Sequence, residues 1–340
     1  MISVAVVGAT GAVGREILTE LERIGPKDIE VHPYASERSS GAALNFRNRA
    51  LLVRPFTIDD VAGAKFVLMS AGSALSKASA EQLLKRGVTV IDNSSAWRMD
   101  ERFPLVVPEV NRDILKSLRG PTVLPNGNCS TIQLVVALAP LHKAFGLKSV
   151  NVTTFQSVSG AGQKGIDDLR QQNEALVGGR TIKATHLPRR IAANLIPAID
   201  KFDDFGHCYE ERKIVQETRK ILSLPSLTVF ASTVRVPTYR GHGESVTVEL
   251  SRSVTRDQVE NAFKQAESCK FYHADSYENL PDLAECVGNG LVHITRMRLP
   301  ADETRSAHVM FWNFSDNLLK GAATNAVQIL NECIALGVGR

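Results

Sequence analysis

The stretch Gly8-Ala-Thr-Gly-Ala-Val-Gly14 decides the first half of the fold, because it stands between two different hydrophobic patterns. An apolar run over residues 2–8 leads into it. After it, apolar residues recur at helical spacing until Gly25 and Pro26 end the pattern. The recurring residues are Val13, Ile17, Leu18, Leu21 and Ile24. We therefore predict a buried strand, a glycine turn and a helix.

The alternation of short strands and helices continues after this unit. Apolar runs over Ile29–Tyr34, Phe66–Met69 and Val88–Ile91 are typical of buried strands, and Ser76–Arg86 has helical spacing. Strands that alternate with helices in this way form a parallel sheet covered on both faces. The predicted fold class is α/β, with a Rossmann-type, doubly wound parallel sheet in the first domain.

Longer and more regularly alternating β-rich segments begin near residue 147. They cover Lys148–Val158, Thr228–Val236, Ser245–Leu250, Leu291–Leu299 and Ala307–Phe314. Helices are predicted over Glu210–Leu222 and from the N-cap Thr255. This pattern predicts a second, α+β domain with a mixed sheet. The helical stretch Leu318–Leu336 is expected to pack back on the first domain. The predicted domains are 1–128 with 317–340, and 129–316.

The composition of the 340 residues argues against several classes of protein. The longest apolar runs are too short for a bilayer span, and no basic stretch precedes the first one, so we expect no membrane segment, no secretory signal and a cytoplasmic location. The net charge of +4 comes without a basic block, which argues against a nucleic-acid partner. The five cysteines form no CxxC pair, so we expect free thiols and no bound metal.

The glycine turn is suited to bind a dinucleotide. Gly8, Gly11 and Gly14 allow the backbone N–H groups at the start of the helix to approach a pyrophosphate. A tight turn without any ligand would use the same residues, but the strand before it and the helix after it favour a cofactor.

The residues just after the second predicted strand determine whether the site prefers NAD or NADP. Arg38, Ser36 and Ser39 offer a guanidinium and two hydroxyls to a ribose 2′-phosphate, whereas Glu37 is the one residue there that suits NAD. We predict NADP. The alternative is a solvated polar loop with no part in binding.

Cys129 is a candidate nucleophile because of its neighbours. The polar segment Asn126–Thr131 follows apolar residues and precedes a long apolar helical stretch, so Cys129 is expected at a helix N-terminus. There the helix dipole and unpaired N–H groups lower the pKa of a thiol and stabilise an oxyanion. An inert core cysteine is the alternative.

His242 is the histidine best suited to exchange a proton with such a nucleophile. It lies in the segment Arg235–Ser245, where we predict it to be on a glycine-flanked turn between two strands. A surface histidine, or a hydrogen-bonded core histidine, is the alternative.

Eight short motifs follow one another along the chain: GATGAVG, SERSSG, SSAWRMD, GNCSTIQ, FQSVSGAG, EERKIVQETRKIL, RVPTYRGHGES and DNLLKGAATNAVQI. Their order resembles that of the aspartate-semialdehyde dehydrogenases, over nearly the whole chain. The chain length is similar to that of the shorter bacterial branch of the family. Two positions depart from the family pattern: Gly127 stands where relatives usually have proline, and Gly243 where they usually have serine, which removes a hydroxyl next to His242.

The resemblance implies a role for each site residue. Cys129 would attack the acyl carbon, Gln156 would orient the substrate, and His242 would be the general acid/base. Arg98 and Lys213 would hold phosphate, with Asn128 nearby. Glu210 and Arg235 would bind the amino and carboxylate groups of the aspartyl moiety. Glu210 and Lys213 lie three residues apart on one helix face, where a simple surface salt bridge is the alternative.

The resemblance also implies where NADP binds and how the chain assembles. The implied cofactor residues are Gly8, Thr10, Gly11, Ala12, Val13, Gly14, Ser36, Arg38, Ser39, Gly72, Ser159, Gly160 and Asn317. The mixed sheet of the second domain would serve catalysis and form a homodimer.

The reaction implied is NADPH-dependent reductive dephosphorylation of L-4-aspartyl phosphate through a cysteine thioester. It would yield aspartate 4-semialdehyde for lysine, threonine and methionine synthesis. Two alternatives stay open: an N-acetyl-glutamyl phosphate reductase, whose acetylated substrate has no ammonium for Glu210, and a catalytically silent paralogue.

Overall fold

The computed structural model describes residues 1–339 and contains two compact units. The first comprises residues 1–128 and the chain from Ala322 onward; the second is Cys129–Gly321. The sequence instead predicted that the chain re-enters the first domain at residue 317. Asp316 holds the intervening residues in the second unit. Its carboxylate accepts hydrogen bonds from Leu318 and Leu319 (3.0 and 3.2 Å), and its carbonyl accepts one from the Gly321 N–H (3.2 Å).

The helices and strands are numbered in chain order. The first unit contains β1 (Ile2–Val7), α1 (Ala12–Arg23), β2 (Ile29–Ala35), β3 (Ala43–Phe46), β4 (Arg49–Leu52), β5 (Arg54–Pro55), α2 (Ile58–Val61), β6 (Phe66–Met69), α3 (Ser73–Lys85), β7 (Thr89–Asp92), α4 (Pro108–Asn111) and β8 (Val123–Pro125). The second contains α5 (Cys129–Phe145), β9 (Leu147–Gln156), α6 (Gln163–Val177), α7 (Tyr209–Leu222), β10 (Thr228–Arg235), β11 (His242–Thr255), α8 (Arg256–Lys264), β12 (Cys269–Phe271), α9 (Leu283–Cys286), β13 (Val292–Arg298) and β14 (Arg305–Ser315). A π-helical turn at Leu319–Ala323 leads into α10 (Thr324–Leu336).

The sheet of the first unit has the strand order β5-β2-β1-β6-β7-β8, and every neighbouring pair is parallel. Alternate side chains of β1 supply the two faces. Val4 and Val6 belong to one buried cluster with α1 and α10, whereas Ala5 and Val7 belong to another with Leu83 of α3. The predicted Rossmann-type, doubly wound sheet is confirmed, since helices cover both faces of a parallel sheet.

The C-terminal helix packs against the first helix of this unit, as the sequence predicted. Thr324 donates a hydrogen bond to the buried carboxylate of Glu20 (2.6 Å), and the Asn331 amide donates to the Ile24 carbonyl at the end of α1 (2.9 Å). The apolar face of α10 contributes to the same cluster as Ile17 of α1.

The sheet of the second unit is mixed, in the order β10-β9-β11-β14-β13-β12. β9 and β10 are parallel, as are β12 and β13, while β11 is antiparallel to both of its neighbours. This confirms the predicted second domain with a mixed sheet. Helices α5, α7 and α8 lie against the unit's strands, and α5 contacts β9, β11, β13 and β14.

Helix α5 continues through Pro140, which lies inside it. Proline has no N–H to donate to the carbonyl four residues earlier, that of Val136. The Cys269 sulfur lies 3.7 Å from this carbonyl oxygen. Within residues 1–339, no helix is both long and apolar enough to cross a bilayer.

Candidate active site

Three predicted site residues lie in one row across the mixed sheet, next to Ser315. In the strand register, Arg235 of β10 is opposite Gln156 of β9, Gln156 is opposite His242 of β11, and His242 is opposite Ser315 of β14. Residues opposite one another in a sheet project to the same face. All four are buried. The register therefore brings together side chains from distant parts of the chain.

His242 is the first residue of β11, so the prediction that it lies on a turn is wrong. The neighbouring glycines suggested a turn, but pairing with both β9 and β14 begins at His242 itself. The strand fixes the direction of the imidazole better than a turn would, because its backbone is paired on both sides.

Cys129 is the first residue of α5, as predicted, and its sulfur lies 3.3 Å from Nε2 of His242. Gly321 packs directly against it: a Cβ at position 321 would lie 2.8 Å from the Cβ of Cys129. A side chain larger than hydrogen at position 321 would thus displace the cysteine. The thiol and the imidazole form a hydrogen-bonded pair at a helix N-terminus, which is suited to a thiolate nucleophile.

The other ring nitrogen of His242 is bound by Ser157, a residue that sequence reasoning missed. The backbone N–H of Ser157 donates to Nδ1 at 3.1 Å, and the Ser157 hydroxyl lies 3.2 Å from the same nitrogen. Complete burial, helped by the positive charge of Arg235, lowers the pKa of His242 to about 3. His242 is therefore neutral at physiological pH.

A chain of polar contacts runs from the buried Gln156 through Glu210 and Lys213 to Asp200. The Gln156 amide oxygen accepts from Thr154 (2.9 Å), and its amide nitrogen donates to Oε1 of Glu210 (3.0 Å). Lys213 lies 3.1 Å from Oε2 of Glu210 and 3.1 Å from the carboxylate of Asp200. Because the Glu210 side chain is only 7% exposed, this is not the simple surface salt bridge considered for the pair. Asp200 was not predicted from the sequence.

Lys213 is held in its charged form. Burial opposes the charge most strongly, but Glu210 and Asp200 together outweigh it, so the pKa of Lys213 is raised. A lysine in this state is a permanent cation at neutral pH, which suits an anionic ligand such as phosphate.

Arg235 is buried, and its Nη1 donates to the carbonyl of Ser157 at 2.6 Å. Burial lowers its pKa, although the nearby Glu210 and Cys129 favour the charged form. Gly160 approaches this guanidinium so closely that a Cβ there would lie 2.9 Å from Nη1. The backbone of Gly160 therefore lies directly against the guanidinium of Arg235.

Asn317 connects the segments around the catalytic pair. Its amide oxygen accepts from the Gly241 N–H (2.8 Å) and from the Ser159 hydroxyl (3.1 Å), and its amide nitrogen lies 3.0 Å from the same hydroxyl. Ser159 and Asn317 are both buried. Cofactor contact by Ser159, Gly160 and Asn317 stays a prediction, and the polar groups of Ser159 and Asn317 also serve to hold the loops before β11 and after β9.

The glycine turn of the first unit is tight and has the geometry that an anion site requires. Gly8 has a φ of +84°, and a Cβ there would lie 2.8 Å from the Ser70 carbonyl oxygen. A Cβ on Gly14 would lie 2.1 Å from the Gly8 oxygen. Helix α1 begins at Ala12, and its N-cap Gly11 has no side chain that could satisfy the first N–H groups. A pyrophosphate fits this set of donors.

The predicted 2′-phosphate residues follow β2, the strand next to β1. Ser36 caps a 3-10 helix formed by Glu37–Ser39, in which Arg38 is exposed. Since β1 and β2 are parallel, the glycine turn and this helix lie at the same edge of the sheet. Gly72, at the N-terminus of α3, has a φ of +86° and open space around it. These positions fit a nucleotide lying along that edge.

Arg98 is held by backbone carbonyls that follow two strands of the first unit. Its Nε donates to the Asn126 carbonyl (2.8 Å) and its Nη2 to the Asn93 carbonyl (3.0 Å). The side chains of Asn126 and Asn93 are themselves joined (2.7 Å), and Asn325 donates to Asn126 (2.6 Å). This asparagine network was missed because its members are far apart in sequence. Asn128, the last residue before the chain enters the second unit, is buried.

Comparison with known proteins decides the family. A model of the semialdehyde dehydrogenase NAD-binding domain matches residues 3–118, and one of the semialdehyde dehydrogenase dimerisation domain matches residues 138–320. The chain is 42% identical to aspartate-semialdehyde dehydrogenase of Bacillus subtilis (strain 168), covering 96% of this chain and 95% of the relative. The chain belongs to the aspartate-semialdehyde dehydrogenase family. It is an oxidoreductase of amino-acid biosynthesis by this membership.

Solved structures of aspartate-semialdehyde dehydrogenases have the same architecture. The crystal structure of aspartate semialdehyde dehydrogenase II from Vibrio cholerae, complexed with ASA, superposes with a TM-score of 0.93 at 38% identity and covers 98% of both chains. The enzyme of Candida albicans with NADP has a TM-score of 0.76 at 21% identity and covers 99% of both chains, a likeness of fold.

Gly127 and Gly243, the two positions that depart from the family pattern, lie in different surroundings. Gly127 lies in the two-residue connection between Asn126 and Cys129. Gly243 is packed under the ring of Phe314, where a Cβ would lie 2.8 Å from a ring carbon. Because side chains alternate along β11, a serine at 243 would point away from His242, so the expected loss of a hydroxyl next to His242 is wrong.

All five cysteines are thiols, and Cys208, Cys286 and Cys333 are buried. In residues 1–339 there is no group of three or more His, Cys, Asp or Glu side chains that could hold a metal ion.

Proposed function

We propose that the protein catalyses the reaction of L-4-aspartyl phosphate, NADPH and one proton to give L-aspartate 4-semialdehyde, NADP and inorganic phosphate. The observation that carries the proposal is the 3.3 Å contact between the Cys129 sulfur and His242 Nε2 at the start of α5. A thiolate at that position is nucleophilic at neutral pH, and a thioester stays electrophilic enough to be reduced.

Cys129 forms the covalent bond in this mechanism. Its sulfur adds to the acyl carbon, and phosphate leaves with the electron pair of the C–O bond, so that a thioester remains on the cysteine. Gln156, fixed by Thr154 and Glu210, orients the acyl group. The N–H groups and the dipole at the start of α5 stabilise the oxyanion of the addition step.

The charged residues select the two ends of the substrate. Glu210 offers a buried carboxylate to the substrate ammonium, and Arg235 offers a guanidinium to its α-carboxylate. Lys213, Arg98 and Asn128 are the proposed phosphate ligands. An N-acetylated substrate has no ammonium to pair with Glu210, which disfavours an N-acetyl-glutamyl phosphate reductase.

NADP is the proposed cofactor because the residues fit it. Gly8, Gly11 and the first turn of α1 are suited to hold the pyrophosphate, and Arg38 with its serine neighbours to hold the 2′-phosphate. The hydride that reduces the acyl carbon is the chemistry that bound NADPH supplies. The other proposed cofactor positions are Thr10, Ala12, Val13, Gly72, Ser159, Gly160 and Asn317.

The dimerisation-domain match supports a homodimer. A cytoplasmic location and a role in lysine, threonine and methionine biosynthesis are proposed from the family resemblance. We place the dimer contact on the sheet of the second unit.

A phosphate-dependent assay with aspartate semialdehyde and NADP tests the function in the reverse direction. Wild-type protein should form NADPH, and Cys129→Ala should lower turnover by roughly 10⁴-fold or more. Cys333→Ala, at a buried thiol of the first unit, is the control. Unchanged turnover in Cys129→Ala, or a higher kcat/KM with N-acetyl-glutamate semialdehyde, would reject the proposal.

A further inference from the structure

Asp200 lies in the long connection between α6 and α7, and the backbone on each side of it is hydrogen-bonded. Ile196 and Arg235 of β10 exchange two backbone hydrogen bonds (2.8 and 3.0 Å). On the other side, the Tyr209 N–H at the start of α7 donates to the Lys201 carbonyl (2.8 Å). Asp200 has a φ of +75°, in the left-handed region that aspartate and asparagine adopt more readily than most residues. The connection therefore sets one carboxylate beside α7.

The Asp200 carboxylate contacts the ammonium of Lys213. Its Oδ2 lies 3.1 Å from Lys213 Nζ, and Oε2 of Glu210 lies 3.1 Å from the same nitrogen. An ammonium has three hydrogens, so these two contacts leave one that no described residue accepts. Because the Lys213 side chain is 28% exposed, an anion from solvent can reach this third hydrogen.

The charges around Lys213 oppose the binding of a dianion. Two carboxylates, those of Glu210 and Asp200, face one ammonium. On the proposed function, the substrate ammonium neutralises Glu210, but no group of the substrate neutralises Asp200. Phosphate on the third hydrogen of Lys213 would therefore lie close to a like charge. Solvent and salt weaken this repulsion without removing it, because the Asp200 side chain is 42% exposed.

We propose that Asp200 is a counter-charge on Lys213 that weakens phosphate binding enough for phosphate to leave after it has been displaced. The role of Lys213 as a phosphate ligand rests on the proposed function. With Asp200 present, the ammonium has this carboxylate partner whether or not phosphate is bound. Without it, Lys213 would attract the dianion more strongly, and most such differences in affinity appear in the rate of dissociation. Because Asp200 acts through Lys213, it is a positioning residue.

A purely orienting role for Asp200 predicts the opposite effect. If Asp200 served only to aim the ammonium, its loss would weaken phosphate binding, because a less ordered lysine loses more conformational entropy when it binds. Glu210 already supplies that orientation, since its carboxylate is only 7% exposed and contacts the same nitrogen. The more exposed Asp200 thus adds mainly its charge to the site.

Titration calorimetry with inorganic phosphate tests the counter-charge without turnover. Asp200→Asn removes the charge but keeps the size, the tolerance of a positive φ and an oxygen that can accept from Lys213. We expect the Kd for phosphate to fall by about tenfold, the effect of one like charge near a partly exposed anion site. The KM for phosphate in the reverse reaction should fall by the same factor, while the KM for aspartate semialdehyde changes by less than about twofold. An unchanged or higher Kd for phosphate would overturn the proposal.

Two further variants and the ionic strength separate charge from structure. Asp204→Asn removes an exposed carboxylate farther along the same connection, and should leave the Kd within about twofold of wild type because distant exposed charges are screened. Lys213→Ala should raise the Kd by about tenfold or more, the loss of a charge-assisted contact. The gain in Asp200→Asn should shrink between about 0.1 M and about 1 M NaCl, where the Debye length falls from about 10 to about 3 Å. A gain that does not depend on salt, a similar gain in Asp204→Asn, or wild-type affinity in Lys213→Ala would overturn the proposal.

Turnover and phosphate binding are separate measurements. A wild type without phosphate-dependent turnover, together with tighter phosphate binding in Asp200→Asn, would reject the proposed function alone. An active wild type whose phosphate binding is the same in Asp200→Asn would reject the inference alone.

Discussion

Gly160 shows how little space separates the backbone from the catalytic side chains. A Cβ at this position would lie 2.9 Å from Nη1 of Arg235 and 3.5 Å from Nε2 of His242. The first contact is closer than real Cβ atoms come to their neighbours, so the Arg235 guanidinium would have to move. The sequence gives no sign of this approach, because residues 160 and 235 meet only through the sheet.

Gly160→Ala should therefore lower kcat/KM by roughly 10²-fold, because small displacements of positioned groups are costly in catalysis. The melting temperature should change little. Gly63→Ala is the matched control, since nothing lies within 4 Å of its added Cβ and its φ is ordinary. Steady-state kinetics and thermal unfolding of both variants check this. Equal kinetics in the two variants would contradict the tight approach.

Arg38 is the residue on which the preference for NADP should depend. It is exposed in the 3-10 helix after β2, where its guanidinium is available to a 2′-phosphate. Arg38→Ala should raise the KM for NADPH by about tenfold, the loss of one charge-assisted contact, and leave the KM for NADH nearly unchanged. Ser40→Ala, just beyond that helix, is the control. If both cofactors weaken equally, Arg38 has no role in the choice.

At the scale of elements, α5, β11 and β14 are joined by a buried polar cluster. Gln133 of α5 donates to Asn313 of β14 (2.8 Å), and Asn313 donates to Glu244 of β11 (2.9 Å). Burial raises the pKa of Glu244 to about 8. The other carboxyl oxygen of Glu244 has no hydrogen-bond partner among the described residues, so nothing there offsets the cost of burying a charge.

The stability of the protein should reflect this buried acid. An unfolded glutamate has a pKa of about 4.3. Between that value and about 8, the folded chain holds a proton that the unfolded chain has lost. The free energy of unfolding should thus fall as pH rises through this window, by up to about 1.4 kcal/mol per pH unit.

Glu244→Gln should remove that part of the slope, since an amide does not titrate. Urea unfolding between about pH 5 and pH 8 measures it. Thr247→Ser, at a residue of the same strand that does not titrate, should leave the slope as it is in wild type. Identical slopes in wild type and Glu244→Gln would show that Glu244 is ionised in the folded protein.

The predicted helices and strands agree with the structure where the pattern that predicted them lies within a few residues. The strand before Gly8, helix α1 and the N-cap at Thr255 were predicted from apolar spacing and residue type, and the structure has all three. The start of β11 was misjudged because glycines on both sides of His242 suggested a turn. Pairing with two neighbouring strands, which is not encoded within the segment, extends the strand to His242.

At the scale of the molecule, one face of the mixed sheet bears a group of aromatic rings. Phe155 and Trp312 are stacked with centroids 5.2 Å apart, and Phe314 lies 6.0 Å from Trp312. Gly243 lies between Phe155 and Phe314 in the strand register. Phe230, on the neighbouring edge strand β10, is 61% exposed. Partly exposed aromatic rings beside an exposed phenylalanine are typical of an interface between subunits.

Phe230→Glu should weaken the proposed homodimer, because it would place a charge in an apolar contact. Light scattering should give twice the mass of one chain for wild type and a concentration-dependent fall toward one chain for the variant. Leu52→Glu, at a 65% exposed leucine of β4 in the first unit, is the control. A monomeric wild type would refute the dimer.

The sequence by itself determined the strand–turn–helix start, the two kinds of sheet and the position of Cys129 at the beginning of a helix. Each depends on periodicity, glycine or a helix start, which act within a few residues. Only the tertiary structure decided that His242, 113 residues away, meets the sulfur, that Ser157 binds its other nitrogen, and that Glu244 is buried. These facts follow from the strand register. Packing between distant segments sets that register, and no short stretch of sequence determines it.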